Sequence, residues 1–64
     1  MTQLVYSAEL EGVNYNILID KRSKKIARIM YFTTEMGYRK PNQLRCDHKI
    51  KKLTQYAKDK KWAV

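Results

Sequence analysis

Leu4-Val5-Tyr6-Ser7-Ala8-Glu9-Leu10-Glu11-Gly12-Val13-Asn14-Tyr15-Asn16-Ile17-Leu18-Ile19 is the stretch on which the reading of the fold depends. Leu4, Tyr6, Ala8 and Leu10 alternate with Val5, Ser7 and Glu9, and Val13, Tyr15, Ile17 and Ile19 alternate with Asn14, Asn16 and Leu18. A period of two is the signature of a half-buried strand, because successive side chains leave opposite faces of a sheet. With Glu11-Gly12 as the turn, Leu10 pairs with Val13, Ala8 with Tyr15, Tyr6 with Ile17 and Leu4 with Ile19, so one face is wholly apolar. The other face pairs Glu9 with Asn14, Ser7 with Asn16 and Val5 with Leu18. A slip of one residue would mix the faces, so the pattern specifies the register. Glu-Gly is a weaker primed turn than Asn-Gly, which leaves room for a longer loop.

Outward from the hairpin, Asp20-Lys21-Arg22-Ser23-Lys24-Lys25 is a charged turn. Residues 26–34 read as a third strand, rich in β-branched and aromatic residues. A helix is the alternative, capped by Ser23 and ended by Gly37, with Ile26, Ile29, Met30 and Thr33 inward; it would leave Tyr31 and Phe32 outside. Met36 to Gln43 reads as a loop punctuated by Gly37 and Pro41. Asp47 then serves as the N-cap of a helix whose stripe is Ile50, Leu53, Tyr56 and Ala57, with Lys58, Lys60 and Lys61 opposing the dipole at its end. Trp62 closes the edge of the core. The expected fold is α+β, a three-stranded antiparallel sheet (β-β-β) packed on one C-terminal helix, forming a single small basic domain over residues 1–64.

The chain has 64 residues, too few for a doubly wound cofactor domain or a TIM barrel. No apolar run approaches the ~20 residues of a membrane span, so no membrane association is expected. The N-terminus lacks the pattern of a signal peptide. A single cysteine, Cys46, excludes an internal disulfide and fits a cytosolic, reducing location. Cys46, Asp47 and His48 are too close in sequence to chelate zinc alone, and Cys46 and His48 leave different sides of a helix start. The two glycines cannot form a P-loop. Catalytic residues, metal and cofactor are therefore all expected to be none.

The charges are segregated. Residues 1–20 hold Glu9, Glu11 and Asp20 and no Lys or Arg, a net −3; residues 21–64 hold all 14 cations against Glu35, Asp47 and Asp59, a net +11. Such asymmetry points to a basic working surface, and a surface of this sign attracts polyanions. The expected partner is DNA or RNA, bound by a small accessory or regulatory factor of the phage or mobile-element kind. Candidate phosphate contacts are Lys21, Arg22, Lys24, Lys25, Arg28, Arg39 and Lys40, followed by Lys49, Lys51 and Lys52. Tyr38 is the ring expected to be exposed and available for stacking. On the architectural analogy of sheets that lie in the major groove, Arg28 and the Lys21–Lys25 turn would approach a duplex. The alternative is an inhibitor or adaptor docking its basic face on an acidic protein. The outer pair Val5 and Leu18, with Ile26, Met30 or Phe32 as neighbours, is the pattern of a homodimer or partner contact.

Overall fold

The computed structural model describes residues 3–64. Four strands, β1 (Gln3–Leu10), β2 (Val13–Asp20), β3 (Ile26–Glu35) and β4 (Tyr38–Gln43), form one antiparallel sheet in the order β1-β2-β3-β4, followed by helix α1 (Asp47–Asp59). The α+β class with a C-terminal helix is as expected; the sheet has four strands rather than three.

The β1–β2 register is the one specified by the apolar pattern, from Leu4 opposite Ile19 to Leu10 opposite Val13. Its turn is the tight one: Glu11 and Gly12 have φ of 54° and 78°. Two successive positive φ angles mark the primed turn whose twist suits a hairpin. The β3–β4 connection repeats this device, with Met36 at 50° and Gly37 at 83° between the paired residues Glu35 and Tyr38.

The added strand β4 corrects the expected loop. Pro41 is tolerated because β4 is a sheet edge. Leu44 donates its N–H to the Ile29 carbonyl at 2.8 Å. Alternation along an antiparallel ladder then turns the donor position that Pro41 lacks outward, away from β3. On the inner side, the Asn42 amide donates to the Thr33 hydroxyl at 2.9 Å.

Residues 26–35 are strand, not helix. Leu18 pairs with Arg28 while Ile19 pairs with Ile26, so Ala27 is the extra residue of a β-bulge. The bulge lets Ile26 and Ile29, three apart, both join the core: Ile29 is buried and Ile26 packs against the cluster.

The core lies between one sheet face and α1. Ile17 and Ile19 are fully buried at its centre, with Tyr15, Leu44, Leu53, Ala57 and Ala63 around them. Of the expected helix stripe, Leu53 and Ala57 are buried and Ile50 is half-buried, while Tyr56 remains 40% exposed. The N-cap is Cys46, one residue before the expected Asp47, and it makes no side-chain capping bond. At the other end Lys61 adopts a left-handed φ of 63°. Its N–H reaches the Lys58 carbonyl at 3.0 Å and that of Trp62 the Ala57 carbonyl at 2.9 Å. This is a Schellman closure with lysine in place of the usual glycine. The Trp62 ring stacks on Tyr6 of β1, centroids 4.6 Å apart and planes 9° from parallel. The chain then runs back, and Val64 donates to the Lys24 carbonyl at 3.0 Å.

Candidate nucleic-acid interface

Asp20 builds the basic β2–β3 turn. Its carboxylate accepts the Arg22 N–H at 2.8 Å, its carbonyl accepts the Lys24 N–H at 2.8 Å, and its own N–H donates to the Lys25 carbonyl at 2.9 Å. The side chains of Lys21, Arg22, Lys24 and Lys25 are left exposed around this closed backbone.

The C-terminal segment brings a second basic cluster to the same end. Lys58, Lys60 and Lys61 lie more than 30 residues from the turn in sequence. The Trp62–Tyr6 stack and the Val64–Lys24 bond hold their segment against it. Lys25 and Lys58 line one cleft together with Arg28. Two acids share this end. Asp20 faces the turn backbone, and Asp59 accepts a hydrogen bond from the Gln55 amide at 2.9 Å. The sequence reading gave Lys58, Lys60 and Lys61 a role at the helix dipole only. The Tyr6 and Trp62 rings, standing on the apolar faces of two distant segments, are the one signal that could have joined them to the turn.

The remaining candidates fall into two groups. Lys51 and Lys52 are exposed and Lys49 is half-buried at the start and along the outside of α1, with Arg45, not among the candidates, exposed just before it. Lys51 stands seven residues before Lys58, on the same side of the helix and about 10 Å away along its axis. The basic end therefore continues as a strip along the helix layer. Arg39 and Lys40 are elsewhere. They follow the β3–β4 turn, at the opposite end of β3 from Lys21–Lys25, and adjacent positions on a strand face opposite ways. Arg39 lies over the Phe32 ring, its Cζ 4.6 Å from the centroid, on the open face of the sheet. Arg28 shares that face, six residues along β3 from Thr34, the partner of Arg39, a separation of about 20 Å. Tyr38 is 78% exposed, as its loop-like sequence suggested, but it stands beside Met36 at the hairpin tip that also carries Glu35. The neighbouring β1–β2 tip carries Glu11. Cation and anion are thus mixed at this end, and cations dominate the other.

The open face of the sheet carries Arg28 and Arg39 against Glu9 and Asp20, so it is balanced in charge. Val5 is 61% exposed there and Phe32 45%. Val5 pairs with Leu18, as expected, and Leu18 with Arg28, while Met30 and Phe32 continue the apolar stripe along β3; Ile26 instead faces the core.

Cys46 and His48 are exposed at the helix start. Among the described residues no group of three or more His, Cys, Asp or Glu is placed to hold a metal, and no helix is long and apolar enough to cross a membrane. Compared with known proteins, the chain matches no family model, no curated protein and no solved structure.

Proposed function

We propose that this chain is a small non-enzymatic nucleic-acid-binding protein that holds the phosphate backbone on the end formed by Lys21–Lys25 and Lys58–Lys61. One observation carries the reading: two basic clusters far apart in sequence are folded against each other. Closely spaced phosphates match a dense set of cations, and each phosphate neutralised releases condensed counterions. The cations of α1, Lys51 and Lys52 above all, extend the track. Arg39 and Lys40, at the mixed end, are outside it. Docking of the sheet face in a major groove is less favoured, because that face is balanced in charge and presents an apolar stripe.

The test is a salt series of oligonucleotide titrations read by fluorescence anisotropy. Lys25→Glu with Lys58→Glu reduces the steepness of log K against log salt by about 2 and weakens binding to all sequences alike. Lys40→Glu leaves the slope within error of the parent. Unchanged binding in the double variant, or no binding at low salt by the parent, refutes the assignment.

A further inference from the structure

The cleft between α1 and the start of β3 is not needed for holding phosphates. It is a half-open cleft of about 440 Å³. Ile26, Ile29, Leu44 and Ile50 give it an apolar floor, Thr54 of α1 and Gln43 at the end of β4 line its wall, and Lys25, Arg28 and Lys58 border it. Among the described residues no acidic side chain lines it. The volume and the combination of apolar walls with a few polar groups are those of a small-ligand site.

A particular ligand chemistry satisfies all three kinds of lining. A hydrocarbon would leave three cations without a counterpart, and inorganic phosphate would leave the floor uncovered. A nucleotide has a flat, weakly polar base with a hydrogen-bonding edge, joined to a phosphate. Extruded bases are held in this way by other proteins, between apolar side chains with polar groups at the base edge. The sheet gives access to the site. The β4 ladder begins at Met30 opposite Gln43, so β4 does not run beside the bulged segment Ile26–Arg28. A polynucleotide can therefore approach the cleft along that edge.

Resting on the nucleic-acid reading above, we infer that the cleft admits one unstacked base of a single strand, with the neighbouring phosphates on Lys25 and Lys58. A duplex keeps its bases paired and stacked and can use only the basic rim. The structure thus assigns the protein a preference for single strands.

The experiment compares a labelled single-stranded 12-mer with the duplex of the same sequence at one salt concentration, using the full chain. The parent binds the single strand about tenfold more tightly, the order expected from one base's contact. Thr54→Leu fills the cleft from the helix side without adding an aromatic ring. It removes the preference and leaves duplex affinity and its salt slope unchanged. Ala27→Leu, at the exposed bulge, fills the cleft from the other wall and does the same, so a folding defect in one variant does not hide the result. Circular dichroism checks each fold. Equal affinity of the parent for the two forms, tighter duplex binding, or a preference that survives both substitutions overturns the inference. Failure of the parent to bind either form instead overturns the function proposed above, so the two failures are distinguishable.

Discussion

Replacing Trp62 by alanine tests how the C-terminal segment is held. The ring is half-buried, stacks on Tyr6 at 4.6 Å and meets Tyr56 edge-on at 5.6 Å. Aromatic side chains bury about 150–250 Å², and Trp62, at most about a third exposed, removes on the order of 160 Å² from water, or about 4 kcal/mol at ~25 cal/mol per Å². Each aromatic pair adds about 0.5–1.5 kcal/mol, and the compactness of the unfolded chain takes back roughly 10–40% of the area contribution. The expected loss is about 3–6 kcal/mol. A chain of this length has about 3–10 kcal/mol in all, so the variant is near the limit of folding. The assay is urea unfolding followed by circular dichroism at 222 nm, because Trp62 is the chain's one tryptophan and the tryptophan fluorescence vanishes with it. With a slope near 1 kcal/mol per molar, the midpoint falls by about 3 M or more. Tyr6→Ala completes a double-mutant cycle, and the coupling energy is about 0.5–1.5 kcal/mol. A loss below about 1 kcal/mol, or zero coupling, would refute the stack as the anchor and with it the joining of the two basic clusters.

Two further predictions concern the ends of α1. Cys46 is an N-cap without a capping bond, so Cys46→Ser supplies an oxygen for the N–H groups of the first turn and raises stability by about 0.5–1.5 kcal/mol, read as an upward shift of the urea midpoint. Lys61→Gly relieves the left-handed backbone and raises stability by about 0.5–1 kcal/mol, while the phosphate-binding salt slope falls by at most about 1. A drop in stability would show that the Schellman closure is misassigned.

The first hairpin was legible because pattern and turn agree: the apolar face exists in one register alone, and a two-residue turn delivers it. The third strand was ambiguous for a physical reason. Ile26 and Ile29 have helical spacing, yet both reach the core because Ala27 bulges out and resets the alternation. A bulge has no signature in a single sequence beyond the conflict it creates. The fourth strand is hidden in the sequence because Pro41 interrupts it with a residue that central strands exclude. Edge position makes its lost donor harmless, and Met36-Gly37 repeats the Glu11-Gly12 turn two strands later. The repeat was visible; the edge position depends on strand order, which local pattern does not carry. At the helix start, Asp47 has the better capping chemistry, but the backbone places Cys46 at that position.

The candidate site divides along the same line. Lys21, Arg22, Lys24 and Lys25 form one exposed cluster because they share a turn, and sequence adjacency alone implies that. Arg39 and Lys40 resemble them in composition but lie beyond another strand, at the far end of the sheet. An odd number of strand crossings separates the Lys21–Lys25 turn from the Met36-Gly37 turn, whereas the Glu11-Gly12 and Met36-Gly37 turns share an end. Strand count therefore decides which cations are neighbours: with residues 38–43 as a free loop, Arg39 and Lys40 could fold back toward the turn, and β4 prevents it. Glu9 and Glu11 of the amino-terminal hairpin then stand toward the end where cations are fewest, while Asp20 is used to close the basic turn. Charge segregation along the chain becomes polarity of the molecule through this geometry. Lys58, Lys60 and Lys61 enter the basic end by tertiary contacts, the Trp62–Tyr6 stack on the sheet and the Val64–Lys24 hydrogen bond at the turn, which is why the residues carrying the functional proposal are partly invisible to a reading of charge runs.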